Sequence, residues 1–418
     1  MMRVCFFVAV GLFGGLSARA SFDIFCAADD SPMPLKSAAK YVCPAGDARE
    51  TLQKAINEAA ELGVRCVLAK GTYVINSRGT LSPRGGLYFP NFSKAEKIYA
   101  HQAAHFNILE GATMPLGFRN GAVIVMGRKL YEDIRDDETF SFLYCVYNSI
   151  FGRAWKLKNL VIRLPDNQKP IVVVDGRFSM ALEYENLWVC GFDPQTVDYA
   201  SAAGVSVPHS RSVGIRGTAG SNFYAMTTWK NLVVQGFGTG FDIGGEHVYC
   251  ESLSALYNIY GFAFDCYCGK SSINSPDARP VGGSFYPIVC VNLLDEHNVN
   301  MPRFGHASHG NGKSAVSEYE YQSVTIRGMN IQWPNTCPGR TNMLDAAFLT
   351  GRHRATEVQP GSWRGSVEYV IDPGTPQHNV RLSHDPFFEK GHGTGVRARN
   401  LLDVDRGGSL GMNAKGEK

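Results

Sequence analysis

The chain has 418 residues, with 41 lysines and arginines against 38 aspartates and glutamates, a formal net charge of +3. This near balance argues against a protein that coats nucleic acid, which would carry a clear basic excess. Forty-five glycines and 11% aromatic residues are typical of a turn-rich β protein. The length suits one long solenoid or two domains better than a single globular core.

Residues 1–20 have the pattern of an export signal. Arg3 gives a small positive region, residues 4–16 are an apolar run too short to span a bilayer, and Ala18-Arg19-Ala20 offers a cleavage site. The alternative is an N-terminal helix that stays attached. Cleavage would leave 39 basic side chains (41 minus Arg3 and Arg19) against 38 acidic ones. No later segment approaches the length of a membrane span, so we expect an exported protein: periplasmic, cell-surface or extracellular.

An amphipathic helix is predicted over residues 47–62, after a lead-in at residues 21–46. Asp47 and Glu50 have the spacing of a capping box, and Gly63 ends the helix. Apolar residues recur on one face at helical spacing: Leu52, Ala55, Ile56, Ala59 and Leu62. Short strands are predicted next, at residues 64–68 and 73–75.

The residues Leu52-Gln53-Lys54-Ala55-Ile56, followed by the Gly71-Thr72-Tyr73 turn, carry a family resemblance. This segment resembles the N-terminal entry of the pectate-lyase-like right-handed β-helix proteins. The superfamily contains enzymes that cut, lyse or epimerise acidic polysaccharides. The resemblance implies an all-β fold, a right-handed parallel β-helix solenoid, with the helix capping its N-terminal end.

A loose repeat follows the entry segment. Three segments share the pattern charged-Asn-Leu-x-β-branched: residues 158–162, 185–189 and 230–234. Repetition with one short strand per period is typical of a solenoid, so these strands should be parallel neighbours in one sheet. Asn159, Asn186 and Asn231 should lie at bends, where their amides bond free backbone groups. The alternative architecture is a β-sandwich with regularly spaced strands.

The repeat region is predicted to extend over residues 47–337. It contains an insertion at residues 91–116 and loops at residues 204–222 and 268–287, rich in Ser, Gly and Pro. Residues 338–418 are interpreted as a C-terminal cap with a polar tail.

Ten cysteines remain after the signal is removed: Cys26, Cys43, Cys66, Cys145, Cys190, Cys250, Cys266, Cys268, Cys290 and Cys337. An even number in an oxidising compartment permits disulfides, whose pairing the sequence does not give. The alternative is that several of them stack as small apolar side chains inside the solenoid.

The candidate site is a pair of acidic turns in the most polar part of the chain. Asp242, Glu246 and His247 follow one predicted strand, and the next such group is Asp295, Glu296 and His297. Turns on nearby coils could bring these groups together across a groove, as carboxylates for acid–base chemistry or as ligands for a Ca²⁺ that neutralises a uronate. The alternative is two ordinary solvated turns.

Two short motifs are rejected as sites. Gly391-His392-Gly393 lacks the acidic blocks that precede this motif in the polygalacturonases of the superfamily. Asp193-Pro194-Gln195 resembles the Asp-Pro-His block of alginate epimerases, but an amide cannot replace the histidine in proton transfer. We therefore expect Asp193 to begin a turn.

These observations favour an exported carbohydrate-active protein, a polysaccharide lyase or glycoside hydrolase acting on acidic glycans. Its partner would be a polysaccharide or glycan, without nucleic acid, and a lyase would be expected to use Ca²⁺. The alternative is a non-catalytic β-helix, either a glycan binder of the adhesin or tail-spike type or a surface structural protein. Most of this inference rests on fold resemblance.

Overall fold

The computed structural model describes residues 23–79, 85–90, 107–145, 154–176, 181–198, 205–217, 227–244, 248–264, 287–296, 298, 303–304, 322–332, 349–350, 363–371 and 395–400. Most of them lie in β-strands, and the helices in these ranges are α1 (Met33–Ala38), α2 (Arg49–Leu62) and α3 (Arg128–Asp133). The predicted signal at residues 1–20 and the Gly391-His392-Gly393 motif lie outside the described residues.

The strands before residue 150 are β1 (Ile24–Ala28), β2 (Tyr41–Cys43), β3 (Arg65–Leu68), β4 (Gly71–Ile75), β5 (Gly85–Phe89), β6 (Asn107–Gly111), β7 (Ala122–Met126) and β8 (Phe140–Cys145). The next are β9 (Ala154–Arg163), β10 (Ile171–Asp175), β11 (Ala181–Cys190), β12 (Val213–Arg216), β13 (Thr227–Gln235), β14 (Thr239–Asp242), β15 (Val248–Leu256) and β16 (Tyr260–Phe264). The last are β17 (Pro287–Glu296), β18 (Arg303–Phe304), β19 (Gln322–Gln332), β20 (Leu349–Thr350), β21 (Trp363–Ile371) and β22 (Gly395–Asn400).

Two long parallel sheets organise these strands. Sheet A has the order β2-β1-β3-β6-β9-β11-β13-β15-β17-β19-β21-β22, with β4 and β7 joined to it through β9. Sheet B has the order β20-β18-β16-β14-β12-β10-β8-β5. From β8 to β21 the chain passes alternately through sheet B and sheet A. Parallel pairing with this alternation is compatible with the predicted solenoid, and it argues against a β-sandwich, whose sheets are antiparallel.

The three Asn-Leu segments form neighbouring strands, as predicted. They lie in β9, β11 and β13, which pair in parallel so that Lys158 is next to Glu185 and Glu185 is next to Lys230. Buried aromatic rings also contact one another from strand to strand: the ring centroid of Trp155 lies 5.7 Å from that of Tyr184, and the Tyr184 centroid lies 5.6 Å from that of Trp229. The prediction that these repeats stack in one sheet is confirmed.

Each repeat asparagine makes a sharp bend within its strand. Asn159, Asn186 and Asn231 have φ angles of 56°, 53° and 54°, the left-handed region that asparagine tolerates better than most residues. Their amides bond chiefly to one another: Asn186 Nδ2 donates to Asn159 Oδ1 at 2.9 Å, and Asn231 Nδ2 donates to Asn186 Oδ1 at 3.2 Å. We expected bonds to backbone groups, and Asn159 has one, since its Nδ2 donates to Gly111 O at 3.4 Å. For Asn186 and Asn231, in-register pairing makes the amide of the preceding strand the nearest partner.

Two variants of Asn186 should separate the contribution of its amide hydrogen bonds from its tolerance of a left-handed φ. We expect Asn186→Ala to lower the free energy of unfolding by about 2–3 kcal/mol, since it removes two amide bonds and strains a left-handed residue. Asn186→Gly loses the same bonds without that strain and should cost about 1–2 kcal/mol less than the alanine variant. Equilibrium denaturation of both proteins checks this. Equal losses would mean that the bend carries no conformational strain.

Helix α2 packs its apolar face on the first strands of sheet A. Leu52, Ile56 and Ala59 are buried as predicted, and the helix contacts β1, β2, β3, β5 and β6. Gly63 ends it with a left-handed φ of 67°. The capping box is absent, because Ala48 holds the N-cap position and makes no side-chain cap. Asp47 Oδ1 accepts instead from the backbone nitrogens of Arg49 and Asn76, at 3.1 and 2.9 Å.

The packing of this helix gives a second prediction. Ile56→Ala should lower the free energy of unfolding by about 3 kcal/mol, because the side chain is 3% exposed and its removal leaves a cavity. Glu61→Ala, at an exposed position of the same helix, is the matched control and should change stability by less than about 0.5 kcal/mol. Similar melting of the two variants would contradict the packing.

Six of the cysteines are free thiols in the structure. Cys26, Cys43, Cys66, Cys190, Cys250 and Cys290 are all buried. Cys250 and Cys290 are register neighbours in sheet A, and the Cys26 and Cys66 sulfurs lie 3.9 Å apart, well beyond a disulfide bond. Burial raises the pKa of Cys43 to about 12. For these six residues the structure agrees with apolar stacking.

One predicted loop contains a strand, and sheet A extends into the predicted C-terminal cap. Strand β12 lies inside the loop predicted at residues 204–222, because its short run of valine, glycine and isoleucine pairs with β10 and β14. Sheet A also continues beyond residue 337 through β21 and β22. The interpretation of residues 338–418 as a separate cap stays a prediction.

Candidate functional site

Three charged residues occupy equivalent positions at the ends of successive sheet B strands. Asp175 ends β10, Arg216 ends β12 and Asp242 ends β14. The pairing of these strands places Asp175 next to Arg216 and Arg216 next to Asp242. We call Asp175, Arg216 and Asp242 the charged row. It lies at the ends of β10, β12 and β14, where the chain leaves sheet B.

The charged row is almost completely buried. Asp175 is 3% exposed, Arg216 is 7% exposed and Asp242 is 2% exposed. Arg216 Nε donates to Asp242 Oδ2 at 2.8 Å, a charge-assisted hydrogen bond. Ser141 Oγ, from the neighbouring strand β8, donates to Asp175 Oδ2 at 2.6 Å. Charges are rarely buried unless they are paired in this way, and such clusters are found at functional sites as well as in structural networks.

The backbone beside the charged row is held at close distances. Gly176 N donates to Arg216 O at 3.0 Å, and Gly217 N donates to Asp242 O at 2.9 Å. A Cβ atom added to Gly217 would lie 2.6 Å from Gly244 O, so a larger residue would push neighbouring coils apart. The glycines therefore fix the spacing of the strand ends that carry the row.

The structure places Asp242 and Asp295, one from each predicted acidic group, in different sheets. Asp242 lies in sheet B and Asp295 lies in sheet A, in β14 and β17. The expectation that both carboxylates project from turns is wrong, since both belong to strands and are at most 2% exposed. Glu296 is half-buried, and its carbonyl accepts from Tyr257 N at 3.3 Å. The predicted residues Glu246, His247 and His297 lie outside the described residues.

Asp295 lies in a row of aliphatic side chains. Its register neighbour in β15 is Ala255, and the same row continues through Val234, Val189 and Ile162. Asn298 Nδ2 donates to Asp295 Oδ1, and Oδ2 is buried without a hydrogen-bond partner among the described residues. Burial raises the pKa of Asp295 to about 7, and the Asn298 bond lowers it only in part. This position suits a stability role better than contact with a polymer.

The outer face of sheet A carries charges that pair with one another. Lys158 Nζ lies 3.0 Å from Glu185 Oε2, and Lys230 Nζ lies 3.6 Å from Glu251 Oε2. These side chains are 28–45% exposed, so each pair contributes little to stability. The charges alternate in sign from one strand to the next, in the order Lys158, Glu185, Lys230 and Glu251. This part of the sheet therefore presents no uniform electrostatic field to an acidic polymer.

Sequence reasoning found Asp242 but missed Asp175, Arg216 and Ser141. The usable signal was the short apolar run before each charge: Val-Val-Asp at 173–175, Gly-Ile-Arg at 214–216 and Gly-Phe-Asp at 240–242. Aligning these runs would have put the three charges in one column. A search for a repeat of fixed period would not align these charges, because the connections between the strands differ in length.

Two further predictions concern metal and membrane. Within the described ranges, no three His, Cys, Asp or Glu side chains are grouped to hold a metal ion. Ca²⁺ as a cofactor therefore stays a prediction. In the part of the chain that the structure describes, no helix has the length and apolarity needed to cross a membrane.

Comparison with family models, curated proteins and solved structures found no match for this chain.

Proposed function

We propose that this chain is a right-handed parallel β-helix, capped by α2, that is exported and acts on acidic glycans as a glycoside hydrolase or polysaccharide lyase. The alternation of strands between two parallel sheets supports the fold. The packing of α2 against the first strands of sheet A supports the cap. The N-terminal export pattern supports the compartment.

The charged row is the observation that carries the catalytic part of the proposal. Asp175 and Asp242 lie two strands apart, with Arg216 between them, so their backbones are separated by about 9.6 Å. Inverting glycosidases hold two carboxyl groups about 6.5–9.5 Å apart, with one acting as acid and the other as base, and the backbone spacing of the row lies just above the upper end of that range. The row has two negative charges and one positive charge. Its net charge of −1 suits the cationic transition state of hydrolysis, which favours hydrolase over lyase.

A non-catalytic glycan-binding or structural protein is the second candidate. The observation in its favour is the burial of the charged row, whose members are at most 7% exposed. Catalytic carboxylates must reach the glycosidic oxygen or a water beside it, so they are usually open to a cleft. A buried Asp–Arg–Asp row would instead hold adjacent coils in register.

One assay separates these candidates. The mature protein is incubated with a panel of uronate-containing polymers, and both ultraviolet absorbance and reducing ends are followed. Unsaturated product indicates a lyase, and reducing ends without absorbance indicate a hydrolase. No product, with glycan binding retained, supports the second candidate. Mass spectrometry of the exported protein tests cleavage after Ala20 in the same preparation.

Variants of the two aspartates test whether the charged row carries out the reaction. Asp175→Asn and Asp242→Asn should each abolish turnover in protein that is still folded at the assay temperature, as circular dichroism checks. Glu251→Gln, in an exposed pair of sheet A, is the matched control and should keep full activity. Activity that survives both row variants would place the reaction elsewhere.

A further inference from the structure

A solvent-facing aromatic group lies on sheet A, away from the charged row. Trp188 is half-buried in β11, and the adjacent residues Leu187 and Val189 are fully buried. Because successive side chains of a strand point to opposite faces, Trp188 lies on the outer face of the sheet. Its register neighbours are Val161, which is fully buried, and Val233, which is half-buried, so apolar side chains flank the indole on both adjacent strands.

A second aromatic ring contacts this tryptophan from a different part of the chain. Phe118 lies in the connection between β6 and β7, and its ring centroid is 5.0 Å from that of Trp188, at 81°. The same connection exposes Met114 by 55% and Leu116 by 80%. Large apolar side chains exposed beside an aromatic pair are typical of a binding surface.

Two arginines border the aromatic pair. Arg119 is exposed, and its Nη2 donates to Pro194 O at 2.7 Å, which ties the Phe118 connection to the turn after β11. Arg163 Nη1 lies 3.9 Å from Asp193 Oδ1, beyond hydrogen-bond distance. Asp193 Oδ1 accepts from Gln195 N at 3.0 Å in the turn predicted from the sequence. The carboxylate is therefore engaged locally and leaves Arg163 weakly paired.

Arg163 has unused hydrogen-bonding capacity. Its Nε is buried and has no hydrogen-bond partner among the described residues, and its side chain is 17% exposed. A guanidinium presents five donors in a planar fork that matches a carboxylate. The formal charges of Arg119, Arg163 and Asp193 sum to +1. This is the opposite sign from the charged row of sheet B.

We propose that Phe118, Arg119, Arg163, Trp188 and Asp193, the Trp188 patch, bind a uronate-containing oligosaccharide. One sugar ring stacks on the indole of Trp188, whose flat apolar face suits the hydrogens of a pyranose. The uronate carboxylate accepts from the guanidinium of Arg163, with Arg119 at the rim. The inference shares only its ligand class with the proposed function, since the patch lies on sheet A and performs no chemistry.

The test is titration of the mature protein with tri-galacturonate, followed by calorimetry and tryptophan fluorescence. Maltotriose, a neutral trimer, is the ligand control. We expect tri-galacturonate to bind and shift the fluorescence, binding to weaken with added salt, and maltotriose to bind at least about tenfold more weakly. Trp188→Leu and Arg163→Met should each weaken binding by about tenfold or more. Arg135→Met, at an arginine 73% exposed elsewhere, should leave it unchanged.

The outcomes separate this inference from the proposed function. Binding lost in the Trp188 and Arg163 variants, but kept in Asp242→Asn, supports the patch whether or not the protein cleaves any polymer. Equal binding of both trimers, no binding by wild type, or unchanged binding in folded patch variants overturns it. Melting curves of each variant confirm the folded state, and Arg119→Ala, at an exposed position, provides a further variant with little risk to folding.

Discussion

Replacing Asp242 by alanine is expected to lower the free energy of unfolding by about 3–5 kcal/mol. The Arg216 guanidinium would lose a carboxylate oxygen 2.8 Å from Nε, at a position where the two side chains are 8% and 2% exposed. A buried cation that loses one counterion keeps its desolvation cost with less of the compensating attraction. Equilibrium denaturation at neutral pH measures the change.

Two control proteins make this result specific to the buried pair. Glu251→Ala breaks the pair with Lys230, whose side chains are 45% and 43% exposed, and should cost less than about 1 kcal/mol. The double variant Arg216→Met with Asp242→Leu removes both charges and should recover most of the stability lost in Asp242→Ala. Equal losses in Asp242→Ala and Glu251→Ala would show that the charged row is not buried in solution.

Raising the pH from about 4 to about 8 should destabilise the wild-type protein relative to Asp295→Asn by roughly 4 kcal/mol. Burial raises the pKa of Asp295 from 3.8 to about 7. Because the folded protein holds this proton more tightly than the unfolded chain, the favourable contribution is fully present below about pH 4. It is lost as the pH rises through about 7. Asparagine keeps the side-chain oxygen that Asn298 donates to, but has no proton to lose.

Denaturation of both proteins across this pH range tests the prediction, and the comparison cancels the titration of all other groups. Asp137→Asn is the matched control, since that carboxylate is 76% exposed and should give a difference from wild type that hardly changes with pH. A flat difference for Asp295→Asn would mean that the Asp295 carboxylate reaches water in solution. The Asp295 position would then become a candidate for the acid–base role first predicted for it.

Local elements were predictable because their signals lie within a few residues. The helical spacing of Leu52, Ile56 and Ala59 predicted α2 and its buried face, and Gly63 predicted its end. The strand predicted at residues 64–68 is β3, at Arg65–Leu68. Asp193 begins a turn, as the following proline suggested. The capping box failed because Asp47 has a competing backbone donor at Asn76, which is close only in the folded chain.

The candidate site was less predictable, because neighbours across coils are distant in sequence by unequal amounts. Arg216 and Asp242 are 26 residues apart, whereas Ser141 and Asp175 are 34 apart. The two predicted acidic groups looked alike as sequences, since each follows an apolar strand. Yet one carboxylate ends a sheet B strand beside an arginine, and the other falls in an aliphatic row of sheet A.

The sequence alone therefore determined helix α2, the bends at Asn159, Asn186 and Asn231, and the parallel stacking of those repeats. Alternation of apolar side chains and tolerance of a left-handed φ are properties of the local chain. Tertiary structure alone decided which charges meet. The register between coils depends on connections of unequal length, and burial depends on everything packed around a side chain. Asp295 is thus an isolated buried acid and Asp242 a paired one, a difference set by the neighbouring coil.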